Sequence, residues 1–238
     1  MPVHDYETRH DAGDTLRTHR HDGAYAALVL DGSHVEASAD GPVECTPGTL
    51  VLHPRWHAHG NRFGRTGAKV INLDLGDDFP VGAGGLALRV LRVANVGEAA
   101  SVFAHGHHHL DDLLRACTPA DHPALHGWQP AFLHELQHGD LPVSALARRA
   151  GVSLAHASRS FLRSHGMPPQ LLRRELRCRQ ALALLGGEAA LADVAAAVGF
   201  SDQSHLNRTL RLATGTTPMQ LRRQIKSVQD RSAALALQ

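Results

Sequence analysis

From Thr15 to about Leu91, short apolar runs alternate with turn residues. Ala26-Ala27-Leu28-Val29-Leu30 ends at Asp31-Gly32, Thr49-Leu50-Val51-Leu52 follows Pro47-Gly48, and Lys69-Val70-Ile71-Asn72-Leu73 follows Gly67. Strand-length runs at this spacing predict an all-β barrel or sandwich. Gly82-Ala83-Gly84-Gly85 reads as a loop. After Asn95 the apolar period becomes helical, over Val96–Ala104 and Leu110–Ala116. The stretch from Thr118 to Pro123 then breaks the pattern as a linker.

From Trp128 onward the pattern is almost wholly helical. Phe132, Leu133 and Leu136 share a face. Pro142 is expected just inside the next helix, where its missing N–H costs least. That helix ends at Gly151, and Ser153 caps the following one. A long helix is predicted from Arg173 to Leu185, stopping at Gly186-Gly187. Leu191–Val198, Gly199, a Ser201 cap and a helix from Asp202 to about Ala213 complete the series.

This helical half repeats itself. Ala147-Arg148-Arg149-Ala150-Gly151-Val152-Ser153 returns 48 residues later as Ala195-Ala196-Ala197-Val198-Gly199-Phe200-Ser201. Gly166, Pro169, Leu172, Arg173 and Arg174 return 49 residues later as Gly215, Pro218, Leu221, Arg222 and Arg223. A period of this size marks two copies of one supersecondary unit. Each copy reads as two helices joined by a Gly-containing turn, the helix-turn-helix of DNA-binding proteins. Ala147 and Ala195 are the small residues where the helices cross, and Gly151 and Gly199 tolerate positive φ. Ala157 with Phe161, and Leu206 with Leu210, are spaced i,i+4 and face inward. Ala155, His156, Ser158, Arg159 and Arg163 are then expected outward on the first recognition helix. Gln203, Ser204, His205, Asn207, Arg208 and Arg211 are expected outward on the second. Arg, Asn and Gln suit guanine and adenine edges in the major groove.

Charge sharpens the division. Residues 1–127 carry 10 Lys and Arg against 16 Asp and Glu, a net of −6, whereas residues 128–238 carry 14 against 7, a net of +7. The basic half suits a phosphate backbone and the acidic half does not. Cys45, Cys117 and Cys178 form no CxxC pair and no even disulfide framework, which favours a reducing cytoplasm. The polar N-terminus has no signal-peptide character, and no apolar run reaches the 18 or so residues of a membrane helix. A cytoplasmic location without a membrane partner is expected.

Leu191-Ala192-Asp193-Val194-Ala195, then Gly199-Phe200-Ser201-Asp202-Gln203-Ser204-His205-Leu206, Arg208, Gly215-Thr216-Thr217-Pro218 and Leu221-Arg222 together resemble the signature of AraC-type transcriptional regulators. The likeness spans roughly Trp128 to Arg223. It implies two helix-turn-helix subdomains joined by a long helix and set in successive major grooves, one helical turn or about 34 Å apart. By position, Ala155, Ser158 and Arg159 correspond to DNA-contacting sites of the family in the first copy. Gln203, Ser204, His205, Asn207 and Arg208 correspond to those in the second. Ala155 has no side chain able to read a base.

The N-terminal half holds many of the 19 histidines. Gly13, His19, His21, Tyr25 and Gly32, followed by Gly48, Pro54, Trp56, His57 and His59, resemble the two motifs of cupins, small β-barrels that hold a metal with three His and one Glu. Tyr25 stands where the Glu belongs, Trp56 replaces a Gly and Phe63 an Asn. Alternation places His19 and His21 on one strand face, and His59 from a neighbouring strand completes a three-imidazole face suited to a divalent transition metal. His19, His21, Tyr25, His57 and His59 are therefore the metal or effector candidates. An organic ligand in a metal-free pocket is the alternative. His105-Gly106-His107-His108-His109 resembles a metal-binding tract but reads as a solvated turn. His134-Glu135-Leu136-Gln137-His138 is a literal HExxH with no third ligand at metzincin spacing, and Glu135 is expected at the surface.

The expected architecture is α+β. A cupin-like sensor barrel occupies 1–95 and a helical dimerisation segment with linker 96–127. An AraC-type DNA-binding domain follows at 128–228, with its motifs at about 142–165 and 190–214. The resemblances imply a non-enzymatic regulator of promoter DNA that answers to a small molecule or metal. They also imply a homodimer that contacts RNA polymerase if it activates. Two rival readings are a metal-dependent cupin enzyme of dioxygenase or isomerase type fused to a DNA-binding domain, and a constitutive DNA binder whose barrel only dimerises.

Overall fold

The computed structural model describes residues 6–76, 87–105, 109–120, 125 and 127–236. The expected loop at Gly82–Gly85, the middle of the His105–His109 tract and the end of the expected linker lie outside them. The chain divides into two compact units, Met1–Ala124 with Ser164–Gly166 and Leu125–Arg163 with Met167–Gln238.

The strand expected at Ala26–Leu30 does not stop at Asp31-Gly32. It continues as the 14-residue β3 (Tyr25–Ser38), paired antiparallel with the 17-residue β6 (Ala58–Asp74). The pairing shifts register twice, between Val29 and Asp31 and between Gly32 and His34. Gly32 has φ 72°, and a Cβ there would lie 2.1 Å from the Gly67 carbonyl oxygen. A glycine that reads as a turn therefore makes a bulge, which bends the strand without ending it.

The remaining strands flank this pair. β1 (Glu7–His10) and β2 (Thr15–Arg20) pair with β6, and β4 (Gly41–Cys45) with β3. β5 (Thr49–His53) lies between β3 and β7 (Arg89–Arg92). Thr118-Pro119, expected as part of a linker, instead forms the short edge strand β8 on β7, a place that tolerates proline's missing N–H. All ladders are antiparallel, in the order β1-β6-β3-β5-β7-β8. Among the described residues no ladder joins the two ends, so the sheet is open where a closed barrel was expected.

Alternation gives this sheet two different faces. Ala26, Leu28, Leu50, Leu52 and Ile71 pack with Ala99 and Phe103 of α1 (Val96–His105) and Leu110 of α2 (Leu110–Ala116). The apolar stripe of the two expected helices is thus used to cover the chain's own sheet. The opposite face carries Val29, Val51, Phe63 and Val70 and curls around a cavity of about 550 Å³.

The second unit is helical: α3 (Gln129–His138), α4 (Val143–Arg149), α5 (Leu154–His165), α6 (Pro169–Leu185), α7 (Leu191–Ala197), α8 (Gln203–Thr214) and α9 (Pro218–Ala236). Three local expectations need correction. Pro142 is the N-cap of α4 and lies just outside it. The long helix α6 begins at Pro169, four residues before Arg173. The cap of α8 is Asp202, whose carboxylate accepts the His205 backbone N–H at 2.7 Å, while Ser201 donates its hydroxyl to Asp202. An aspartate caps more strongly here because its charge also faces the positive end of the helix. Ser153 caps α5 as expected, through the His156 N–H at 3.1 Å.

Gly151 and Gly199 both sit at the turn with positive φ, 68° and 77°. They differ in surroundings. A Cβ on Gly151 would meet nothing within 4 Å, whereas one on Gly199 would lie 2.8 Å from the Arg177 guanidinium. Gly151→Ala should cost about 1–2 kcal/mol, the strain of a left-handed L-residue. Gly199→Ala should cost more, because Arg177 must also give way. Paired thermal melts check the order, and equal losses would contradict it.

Candidate functional site

The cavity of the first unit gathers its histidines from both halves of the bent strands. His19 and His59 are directly paired across β2 and β6, with ring centroids 4.6 Å apart. His21 lies 4.8 Å from His19 and 5.3 Å from His59. One nitrogen from each of the three falls within 4.8 Å of the others. Tyr25 is buried, and its hydroxyl lies 3.3 Å from His59 Nε2. Burial, with Glu36 and Cys45 nearby, holds its phenol well above the ordinary pKa.

A second group shares His59 and extends deeper. Glu36, His53, His57 and His59 are all buried, and one ligand atom from each lies within 4.8 Å of the rest. Sequence reading missed Glu36 and His53. His53 Nε2 is 3.0 Å from both Glu36 oxygens, and its ring stacks on Tyr25 at 4.2 Å. His57 Nε2 is 3.1 Å from the Asp40 carboxylate. The Nδ1 atoms of His53, His57 and His59 are buried without a partner.

Burial pushes Glu36 upward, but His53, which faces both of its oxygens, leads the groups that more than offset it, and the net shift is downward. Burial lowers His57, opposed by Asp40, and lowers His59 strongly, opposed by Glu36. Both imidazoles are thereby biased to the neutral form, which can donate a lone pair.

The alternation from Val51 to His53 along β5 was a usable signal for His53. Glu36 was hidden, because the bulges reverse parity. Tyr25, Ala27 and Val29 line the cavity before them, and His34 and Glu36 after them.

In the second unit both motifs bury the expected stripe: Ala147, Ala157 and Phe161 in the first copy, Ala195, Leu206 and Leu210 in the second. The repeat extends to tertiary contacts. Arg173 donates to the Leu141 carbonyl at 2.7 Å, and Arg222 donates to the Ala189 carbonyl at 2.6 Å. Arg177 pairs with Asp140, and Lys226 with Glu188. These partners recur at the same offsets of 48 and 49. The trailing basic residues 173, 177, 222 and 226 thus tie each following helix to the chain just before its motif.

A family model described as a helix-turn-helix domain matches residues 146–224, which span both copies. The second unit is a DNA-binding domain of the AraC type. A chain that carries it is a DNA-binding transcriptional regulator. A search of curated proteins finds no match. Among solved structures, ToxT from Vibrio cholerae O395 is 11% identical over 92% of this chain and 96% of its own, with TM-score 0.42. An AraC-type transcriptional regulator from Chromobacterium violaceum is 26% identical over 42% and 88%, with TM-score 0.37. The C-terminal domain of AraT from Geobacillus stearothermophilus is 26% identical over 40% and 83%, with TM-score 0.38.

On the AraC-type domain, α8 exposes Gln203, Ser204, His205, Arg208 and Arg211, and α5 exposes Ala155, His156, Arg159 and Arg163. Two residues expected outward are half-buried. Ser158 is one. Asn207 is the other, with its Oδ1 enclosed and unpartnered. It borders the stripe of Leu206, Thr209 and Leu210, so a contact through it requires a change of rotamer. His205 is exposed but engaged: Ser201 lies 3.2 Å from its Nδ1, and the ring meets Phe200 edge-on at 5.0 Å.

The HExxH residues lie on α3. The His134 and His138 rings are 4.9 Å apart, and Glu135, half-buried, pairs with Arg149 at 3.6 Å. That pairing with a cation gives Glu135 a structural role. His105 ends α1, its Nδ1 2.7 Å from the Ser101 carbonyl. No helix among the described residues is long and apolar enough to cross a membrane.

Proposed function

We propose that the AraC-type domain reads double-stranded promoter DNA through α5 and α8 in successive major grooves, and that the N-terminal cavity holds the effector that controls it. The DNA reading rests on one observation above the rest. With Leu206 and Leu210 buried, α8 turns Gln203, Arg208 and Arg211 to solvent on one side, and these are the side chains that suit base edges and phosphates. On α5 the same face offers chiefly Arg159 and Arg163, with Ala155 between them and the turn, so α8 carries more of the base readout.

Arg208→Ala should weaken specific binding by about 1–3 kcal/mol, roughly 5–150-fold. A gel-shift titration against a selected operator reads this directly, and unchanged affinity would remove Arg208 from the interface. Arg163→Ala should weaken specific and non-specific DNA alike and flatten the salt dependence, as a phosphate contact does.

The cavity supports a sensor role by size and lining. Its volume of about 550 Å³ lies within the roughly 300–1,000 Å³ of small-molecule sites. Apolar walls from Val29, Val51 and Val70 adjoin a lining rich in imidazoles, with Arg17, Glu36 and Asn61 beside them. An effector acts only by favouring one arrangement of the regulator over another. In this reading the outward faces of α1 and α2 join two chains, and an activating regulator also contacts RNA polymerase. Effector-induced shifts in operator affinity separate a sensor from a constitutive binder, for which no ligand of the cavity changes affinity.

A further inference from the structure

We infer that Glu36, His53, His57 and His59 form a binding site for a divalent first-row transition ion, of which Zn²⁺ suits the donors best. The inference deepens the effector reading of the cavity, and its donor set differs from the three-imidazole face of His19, His21 and His59, although His57 and His59 are both among the motif's candidates. Only His59 belongs to both clusters.

Three observations carry it. The first is donor type: three imidazoles and one carboxylate are borderline nitrogen and oxygen ligands, the set that zinc and its neighbours prefer. The second is convergence. One donor atom from each residue lies within 4.8 Å of all the others, compared with about 3.4 Å between ligands around a tetrahedral ion with bonds near 2.1 Å. Side-chain torsions can close that difference while β3, β5 and β6 stay in place. The third is unmet hydrogen-bonding capacity. His57 and His59 each have Nε2 beside an oxygen from outside the set, Asp40 and Tyr25 respectively, yet each keeps a buried Nδ1 without a partner, while His53 turns Nε2 to its co-ligand Glu36 and also keeps a bare Nδ1.

A purely structural Glu36–His53 ion pair would explain the Nε2 contact of His53. It leaves three orphaned ring nitrogens in one cluster, and buried groups of that kind are normally satisfied. Imidazoles oriented by an oxygen on one nitrogen, with the other nitrogen bare, are what a metal site requires.

The test uses the full chain, stripped of metal and then equilibrated with Zn²⁺ or, as a spectroscopic probe, Co²⁺. We expect near one Zn²⁺ retained per chain after dialysis, and intense visible Co²⁺ bands of a four-coordinate site. His57→Asn and Glu36→Gln should each lose the retained ion, while the surface control His138→Asn keeps it. Failure of the wild-type chain to retain Zn²⁺ or to give those bands would overturn the site. So would full retention in folded His57→Asn, since His57 takes no part in the alternative His19, His21 and His59 cluster. If His57→Asn does not fold, as judged by near-UV dichroism, Glu36→Gln and the wild-type Co²⁺ spectrum decide. Operator affinity with and without Zn²⁺ is measured separately. Bound metal with unchanged affinity keeps the site and removes its effector role.

Discussion

Phe161→Ala is expected to destabilise the AraC-type domain by about 3–5 kcal/mol, the usual cost of removing a buried aromatic ring. Phe161 is fully enclosed, in ring contact with Phe132 at 5.1 Å and Trp128 at 5.7 Å. Those two residues belong to α3 and its N-cap, so the ring fastens the first recognition helix to the element that precedes the motif. Typical domains have only about 5–15 kcal/mol of stability. The substitution should therefore loosen α4 and α5 and weaken operator binding without touching any DNA-facing side chain. Phe161→Leu, which refills most of the volume, should cost less than about 1.5 kcal/mol. Urea denaturation followed by helical dichroism measures both. A loss under about 1 kcal/mol for Phe161→Ala would mean that the first motif does not depend on this cluster.

The second large effect is a loss of stability in acid, read on metal-free protein. His34 faces the cavity, and burial pushes its pKa down to about 4, against the partial opposition of Glu36. Its Nδ1 has no partner. The unfolded chain takes up a proton near pH 6.5 and the folded one only near pH 4, so between these values the unfolded state binds more protons. Stability from this group is whole above about pH 6.5, falls as pH drops toward 4, and levels off below it. A depression of this size corresponds to about 3 kcal/mol. The lowered pKa values of His57 and His59 act in the same direction. Amide exchange along β3 and β6 at pH 7 and pH 4.5, corrected for intrinsic rates, localises the effect to the first unit. His34→Phe should shrink the pH dependence. Equal protection at the two pH values in the wild-type chain would show that these histidines are solvated in the folded state.

Local order was legible wherever a signal lies within one helical turn or one tight turn. Leu110–Ala116 was placed with the bounds it has in the structure, and the Ser153 cap and the turn glycines 151 and 199 were readable from residue type alone. The cap of α8 was misplaced by one residue because Ser201 and Asp202 are both good caps, and backbone geometry selects between them. The pairs Asp140–Arg177 and Glu188–Lys226 were visible in principle as one acid and one base recurring at fixed offsets. Each, however, joins residues nearly forty positions apart, where sequence spacing gives no hint of contact.

By itself the sequence determined the division into a strand-rich acidic part and a helical basic part, the doubled helix-turn-helix, and the faces those motifs bury. These follow from periodicity and repetition, which are properties of neighbouring residues. Only the tertiary structure decided how the histidines group. The two bulges in β3 reverse which side chains face inward, so Glu36, on the wrong parity when counted from Tyr25, turns toward His53. A one-residue shift in register exchanges the faces of a strand, and where such a shift falls depends on how the paired strand beside it is held.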